Sequence, residues 1–500
     1  MMPCLGGGLI PAPSKTSGMF RRDRFGAAVA VVLVAVPLMA FSAPSLQIAG
    51  PQVRVGQAGH RLGEFSVARD PNDPRHLVTA TFDLDHEAGG IGCVVYESFD
   101  AGAAWSSTGS IPGMQDGHAH LDPWTAIDGD GRTHLACIDN EFAALSAAPY
   151  VPSEYARRVD GTWSENTTLP NLAGATFRNT DKLSLLADRR GHVYVCVIES
   201  TPQGPFLVVH RSRDGGETWE SPTKVGTDLQ ANCNGFVEAP NGDITLLWIN
   251  LAGPLGFATV GTVSSFDGGD TWQHRSVVGQ YIIRPGVEQD TPQGRYGVFY
   301  PVGPQHNFPA LAVSPVNGHL FMSYATWVED RYTTKLFRST DRGATYSPVA
   351  LPAPWSPTCT DCSDLQAALT VDDAGNLGMQ IVLADELSLQ REVWFMASLD
   401  EGDTWLAPLQ IASSGADASW LGPGHYAGEP NLLNGLPATT PDDAASDGFG
   451  VAAPSIFKTQ RRDGGDYWNI ISVPEGFLCM WIDHTDGGIQ QIWSRLVTIS

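Results

Sequence analysis

Histidine, arginine and carboxylate side chains recur in short polar segments that stand next to apolar runs of the chain. Three of these segments are GHRLGE at 59–64, DGHAHLD at 116–122 and WVEDRY at 327–332. Carboxyl groups and imidazoles transfer protons, and a tyrosine or a carboxylate can act as a nucleophile. A guanidinium binds a carboxylate through two parallel hydrogen bonds. These residue types predict acid–base chemistry on an anionic ligand.

The candidate residues fall into two groups that are spread along the chain. The candidate catalytic residues are Asp122, Glu329, His120, His306, His425 and Tyr426. The candidate substrate-binding residues are Arg61, Arg178, Arg331 and Arg391. Two alternatives stay open, because each residue could be an ordinary polar loop residue, and His118, His120 and Asp122 form a loose metal-binding pattern. We expect neither a metal nor a cofactor.

The elements that must position these residues are marked by a repeated octapeptide. It reads SRDGGETW at 212–219, SFDGGDTW at 265–272 and SLDEGDTW at 398–405, with looser copies SFDAGAAW at 98–105 and STDRGATY at 339–346. A shorter relic, RRVDGTW, occupies 157–163. Asp and Gly favour a tight turn, and Trp is a large apolar group that packs onto a sheet. Each copy follows an apolar run, so the repeat predicts a hairpin turn after a strand.

The pattern Ser-x-Asp-x-Gly-x-Thr-Trp resembles the Asp box, also called the bacterial neuraminidase repeat, of sialidases and related β-propellers. The resemblance implies an all-β propeller that binds ligands at its central axis, on the face opposite the boxes. It also implies a carbohydrate-active enzyme, an exo-glycosidase of sialidase type that hydrolyses acidic glycans. The Phe/Tyr-Arg-Ile-Pro motif of sialidases is missing from the sequence. A polysaccharide lyase and a non-catalytic propeller that binds glycan or protein are therefore alternatives.

Six units with the same order of elements begin near residues 64, 122, 181, 233, 306 and 364. Each unit has a strand, a turn, a second strand that ends in a polar residue, a third strand and a box or its relic. A seventh unit, with FLCMWID and IQQIWSRLVTI, ends the chain without a box, and SLQIAGPQVRV at 45–55 is a spare strand. We predict seven four-stranded blades closed by pairing of the chain termini, with six blades as the alternative. The stretch 435–476 is predicted to be an insertion in the last blade.

The order of strands in a blade decides which loops share a face. Boxes between strands three and four lie on the same side as the turn between strands one and two. The loops that lead into strand one and out of strand two therefore gather on the opposite face. These loops hold the candidate residues, together with His60, His86, His118 and His484.

The composition limits the partners of the chain. Of its 500 residues, 42% are hydrophobic and 17% are charged, and the formal net charge is −24. An acidic surface repels phosphate groups, so nucleic acid and anionic membranes are not expected as main partners. We expect a monomer whose partner is a carbohydrate.

Residues 1–42 have the features of a secretory signal peptide, with Met19 as an alternative start. Arginines precede the apolar run 26–41, and small residues follow it. The mature chain 43–500 is then predicted to be secreted, periplasmic or on the cell surface, where its seven cysteines can form disulfides. Cys359 and Cys362 predict a short-loop disulfide or two thiols rather than a zinc site. Three further cysteines are expected in the core: Cys137, Cys196 and Cys479.

Overall fold

The computed structural model of the chain is built from antiparallel β-strands, and none of the residues it describes is helical. The chain separates into Met1–Ala43 and Pro44–Ser500, and every strand belongs to the second unit. The predicted signal peptide lies outside the described residues. These residues are 43–85, 91–114, 119–140, 153–173, 183–201, 203–226, 231–250, 257–282, 288–291, 294–297, 309–329, 331–352, 355–356, 359, 362–384, 391–414, 469–486 and 489–500.

The strands follow one another around seven blades. Two strands come first, β1 Leu46–Ile48 and β2 Val53–Arg54. The first four blades contain β3 Leu62–Arg69, β4 Leu77–Asp83, β5 Gly92–Ser98 and β6 Ser106–Ser107; β7 Ala119–Ile127, β8 Thr133–Asn140, β9 Ser153–Val159, β10 Thr162–Trp163 and β11 Thr167–Thr168; β12 Ser184–Ala187, β13 Val193–Thr201, β14 Gly204–Ser212 and β15 Thr223–Lys224; and β16 Asn232–Glu238, β17 Ile244–Asn250, β18 Phe257–Ser265 and β19 Gln273–Ile282.

A separate two-stranded ladder follows the fourth blade and consists of β20 Glu288–Thr291 and β21 Gly294–Gly297. The last three blades contain β22 Ala310–Val313, β23 Leu320–Val328, β24 Arg331–Ser339 and β25 Ser347–Val349; β26 Ser363–Val371, β27 Leu377–Ala384, β28 Arg391–Ser398 and β29 Leu409–Ser414; and β30 Ile470–Val473, β31 Gly476–Asp486 and β32 Ile489–Ile499. Consecutive strands of a blade pair antiparallel, except that β11 pairs with β9 in the second blade. The chain is a seven-bladed β-propeller, and the six-bladed alternative is wrong.

The burial of the second strand reflects the packing of neighbouring blades against both faces of each sheet. Every residue of β4 is buried, polar and apolar alike, because neighbouring blades cover both faces of the strand. Sheets covered on both sides read as nearly continuous apolar runs. The runs LVTATFD in β4 and ITLLWIN in β17 have this form.

The last blade closes the ring with strands from both ends of the described chain. Leu46 pairs with Ile499, and Val53 pairs with Ser494, so β1 and β2 lie beside β32 as predicted. The predicted insertion 435–476 needs a correction, because β30 lies inside it and is the first strand of this blade. This strand is only four residues long, so its pattern is weak in the sequence. A strand expected at VAAPSIF, 451–457, falls outside the described residues.

The five box turns, Ser98–Trp105, Ser212–Trp219, Ser265–Trp272, Ser339–Tyr346 and Ser398–Trp405, share one hydrogen-bond pattern. In the second of them, the Ser212 hydroxyl donates to Asp214 at 2.7 Å and accepts the Gly216 amide at 2.8 Å. Asp214 also accepts the amide and the hydroxyl of Thr218. In the first blade the box turn meets the turn between strands one and two, since the Ala101 amide donates to Arg75 O. The box turns therefore define one face of the propeller, the box face.

Adjacent blades are joined by the residue that immediately precedes a box turn or, in the second blade, by the first residue of the relic. Its side chain donates to a backbone carbonyl at the fourth position of the next blade's box turn. Four such bonds are Arg157 to Gly215 at 3.2 Å, Arg211 to Gly268 at 2.7 Å, Ser264 to Arg342 at 3.3 Å and Arg338 to Glu401 at 3.0 Å. The box turns thus hold blades together as well as closing hairpins.

Disulfides reinforce two of the junctions between blades. Cys93 of β5 is bonded to Cys137 of β8, which joins blades one and two. A second bond joins blades three and four through Cys196 of β13 and Cys233 of β16. Cys359 and Cys362 form the short-loop disulfide that was one of the predicted alternatives. The expectation that Cys137, Cys196 and Cys479 are buried is confirmed.

Candidate functional site

The first strands of the seven blades surround a central cavity of about 300 Å³. Arg69, at the end of β3 that leads to the box face, donates to Asp373 of blade six at 2.7 Å and contacts Ser472 of blade seven. This side chain therefore links blades one, six and seven, which are neighbours in the ring. The cavity is lined by Val67–Arg69, Trp124–Ile127, Leu185–Ala187, Asn234–Phe236, Pro309–Leu311, Ala367–Leu369 and Asn469.

On the face opposite the box turns, the start of β3 and the end of β4 form a cluster of two basic and two acidic residues. His60 Nδ1 lies 2.7 Å from Asp83 Oδ2. The next residue, Arg61, grips Asp85 with two donors, from Nε to Oδ2 at 2.8 Å and from Nη2 to Oδ1 at 2.7 Å. The hydrogen bond to Asp85 raises the pKa of the Arg61 guanidinium. We call His60, Arg61, Asp83 and Asp85 the blade 1 rim cluster.

A second cluster on this face joins blades five and six around a buried carboxyl group. Asp364, at the start of β26, is 5% exposed, and its Oδ2 accepts the Thr334 amide at 2.7 Å and the Trp355 indole N–H at 3.3 Å. Burial raises the pKa of Asp364, against the opposing effects of these hydrogen bonds and of the positive charge of Arg331. A buried carboxyl group that retains its proton at higher pH is a candidate general acid.

Aromatic side chains complete this second cluster. Trp327 and Tyr332 meet edge to face, with their ring centroids 5.0 Å apart. The Tyr332 amide donates to the hydroxyl of Ser363, the residue before Asp364. We call Trp327, Arg331, Tyr332, Trp355 and Asp364 the blade 5–6 rim cluster.

Three acidic residues on the opposite face have a left-handed backbone. They are Glu64 with φ 41°, Asp122 with φ 50° and Glu329 with φ 49°. In β3 and β7, the first two coincide with breaks in strand register, between Gly63 and Phe65 and between Leu121 and Trp124. Such a conformation costs about 1–3 kcal/mol in a non-glycine residue and concentrates at functional sites. Non-glycine residues with positive φ also occur in turns on the box face, among them Asp160 and Glu401.

The predicted site residues that the structure describes lie in different environments. His120 is fully buried, with Nδ1 3.2 Å from Glu154 Oε2. Asp122 is also buried, whereas Glu329 is exposed at the end of β23. Arg331 belongs to the blade 5–6 rim cluster. The guanidinium of Arg61 is bound to Asp85, as described above.

The remaining predicted residues are only partly placed or not placed at all. Arg391 begins β28 and pairs with Ala384, but its side chain is not among those described. Four candidates lie outside the described residues: Arg178, His306, His425 and Tyr426. The loop GHYAGE at 424–429 was expected to lead directly into strand one of the last blade. That strand begins at Ile470, so the loop is not immediately before it.

Sequence reasoning did not select Asp83, Asp85 or Asp364 as site residues. The first two had a signal in the sequence, because FDLD at 82–85 has an acid at every second position where a buried strand ends. In a hairpin of strands one and two, these acids face the basic pair His60–Arg61. Asp364 had no comparable signal, because its chemistry depends on burial against the neighbouring blade. Within the described parts of the chain, no group of three His, Cys, Asp or Glu residues is placed to hold a metal ion. The same parts contain no helix that could cross a membrane.

No family model and no curated protein sequence matches the chain. Solved structures that are similar to it include a protein of unknown function from Dyadobacter fermentans, at 16% identity and a TM-score of 0.45, covering 68% of this chain and 95% of that one. An intramolecular trans-sialidase from Ruminococcus gnavus aligns at 12% identity and a TM-score of 0.43, covering 72% and 96%. An ulvan lyase aligns at 11% identity and a TM-score of 0.45, covering 73% and 88%. Likeness at this level assigns no activity to the chain.

Proposed function

We propose that this protein is a carbohydrate-active enzyme that hydrolyses acidic glycans on the face opposite the box turns, in the manner of an exo-glycosidase of sialidase type. The observation that carries the proposal is the buried carboxyl group of Asp364, whose pKa is raised by burial, next to the positive charge of Arg331. Glycoside hydrolysis needs a carboxylic acid that is still protonated at working pH and can protonate the leaving oxygen.

Two residues of the blade 5–6 rim cluster and the nearby Glu329 then have distinct tasks. Asp364 gives its proton to the glycosidic oxygen as the bond to the sugar breaks. Arg331 binds the carboxylate of the acidic sugar. Glu329, two residues earlier and exposed, supplies a second carboxylate to the same part of the face.

The proposal includes export of the protein. The signal-like segment 1–42 supports it, and so do the three cysteine pairs, because disulfides persist in oxidising compartments. Extracellular, periplasmic or cell-surface glycans are then the accessible substrates.

The test is a panel of sialosides and uronate polysaccharides assayed with the wild type and two variants. Arg331→Ala should weaken kcat/KM by roughly 10–100-fold, because a charge-assisted bond contributes about 1.5–3 kcal/mol. Asp364→Asn should lower kcat by about 10²–10⁴-fold and leave binding intact. The matched controls are Arg213→Ala and Asp130→Asn, exposed changes on the box face.

The outcomes separate three classes of protein. Release of a reducing sugar that depends on both residues supports hydrolysis. An unsaturated product identifies a lyase, and binding without cleavage identifies a non-catalytic propeller. Full activity in Asp364→Asn removes the proposed acid.

A further inference from the structure

The blade 1 rim cluster contains an imidazole held by a buried carboxylate. The side chain of Asp83 is 4% exposed and that of His60 is 19% exposed, and 2.7 Å separates Asp83 Oδ2 from His60 Nδ1. The second oxygen, Oδ1, accepts the Asp85 amide at 2.9 Å, which fixes the carboxylate. A carboxylate on Nδ1 selects the tautomer that donates from this nitrogen and leaves a lone pair on Nε2.

The loop that carries His60 is fixed by its neighbours on both sides. Arg61 is bound to Asp85 by its side chain and its backbone amide, and the Leu84 amide donates to Arg61 O. On the other side, Gln491 of β32 donates to the carbonyls of Gln57 and His60. The imidazole is therefore oriented on a rigid support, which catalytic groups require.

Histidine–carboxylate pairs also occur on the box face, and they differ from this one. His76 pairs with Asp70, and His134 with Asp128, at sequence separations of six residues within single turns. His134 is fully buried. His60 and Asp83 are 23 residues apart and connect two loops on the face that carries the proposed site. Turn closure accounts for these two pairs and does not account for His60–Asp83. A third box-face pair, His319 and Glu401 at 2.9 Å, joins blades five and six.

We propose that His60 is a catalytic base of the opposite face and that Asp83 is its positioning residue. This inference rests on the proposed function. Water gives one proton to His60 Nε2 as its oxygen bonds to the anomeric carbon. The bond to the leaving group breaks, and its electron pair leaves with the glycosidic oxygen, which takes a proton from Asp364. His60 then releases its proton to solvent and Asp364 takes one up from solvent, so the steps sum to hydrolysis and both groups return to their starting states.

Chemical rescue tests the proposal. His60→Ala should lose about 10²–10⁴-fold in kcat, the usual contribution of a general base, and imidazole in the buffer should restore part of the loss. Asp83→Asn should lower kcat and leave KM unchanged. His76→Ala is the matched control and should show no rescue. If His60→Ala is poorly folded, His60→Gln replaces it in the comparison of kcat with thermal stability. Wild-type kcat in His60→Ala, or a loss that imidazole does not restore, overturns the inference.

The two proposals fail in different ways. Activity that is lost in Asp364→Asn and kept in His60→Ala removes the base and leaves the hydrolase. If no acidic glycan is cleaved, the proposed function fails. The reactivity of His60 is then measured by treatment with diethyl pyrocarbonate, followed by mass spectrometry. Faster acylation of His60 than of His76, slowed by Asp83→Asn, supports an oriented and reachable base. Absence of acylation at His60 overturns it.

Discussion

At the scale of single residues, the environment of a side chain decides its chemistry. The Arg61 guanidinium has two hydrogen bonds to Asp85. A ligand carboxylate would have to displace Asp85 in order to bind Arg61 in the same way. In this structure Arg61 therefore fixes the loop before β3.

The pH dependence of activity should reveal the protonation of Asp364. Burial raises its pKa, so the protonated donor is present below the folded-state pKa and disappears as pH rises through it. The stability that this group contributes is lost over the same rise, since the unfolded carboxyl ionises at lower pH. We therefore expect kcat/KM of the wild type to fall as the pH rises through the pKa of Asp364.

Measurement of kcat/KM against pH in Asp364→Asn provides the check. The residual activity of this variant should no longer show the alkaline fall that belongs to Asp364. An unchanged profile would assign the fall to another group. Asp130→Asn, on the box face, serves as the control.

At the scale of elements, the box turn is a structural unit whose parts depend on one another. Gly216 has φ 82°, and a Cβ at this position would collide with the Tyr155 hydroxyl. Trp219 packs edge to face on Tyr155, with 4.8 Å between ring centroids. The turn, the aromatic contact and the Arg157 bond to Gly215 therefore lie at the junction of blades two and three.

Trp219→Ala should destabilise the protein and leave ligand binding unchanged. Removal of a buried Trp costs about 3–5 kcal/mol, and the partial exposure of Trp219 places the expected loss near the lower end. Denaturant unfolding gives the loss, and titration with a bound glycan at low temperature gives the affinity of the folded fraction. Reduced affinity at unchanged stability would contradict a purely structural role for the turn.

At the scale of the whole molecule, the last blade closes the ring with β1 and β2. Without these strands, β32 would be an exposed edge next to the core of the last blade. Deletion of residues 43–56 should therefore lower the melting temperature and broaden the unfolding transition. A chain that begins at Ser45 keeps β1 and β2 and is the control. A sharp transition at the wild-type temperature in the deletion would show that closure contributes nothing.

Much of this architecture was predictable because repeated turns and buried second strands leave strong local patterns. The octapeptides predicted the turn between strands three and four of most blades. Runs such as ITLLWIN indicated strands that are buried on both faces. Strand β30 was missed because four residues carry little pattern. The site was harder to predict, since burial by the folded chain raises the pKa of Asp364, against the hydrogen bonds that Thr334 and Trp355 donate to it.

The hydrogen bonds between Ser45 and Ser500 have a consequence for how the chain can be rewired. The Ser45 amide donates to Ser500 O at 3.1 Å, and the Ser500 amide donates to Ser45 O at 2.9 Å. A short glycine linker could join these positions, and new ends could be opened between blades five and six. Such a circular permutant keeps every blade and every contact between blades, so we expect it to refold with the near-ultraviolet spectrum of the parent. Failure to refold would mean that the order in which the blades are synthesised matters for folding.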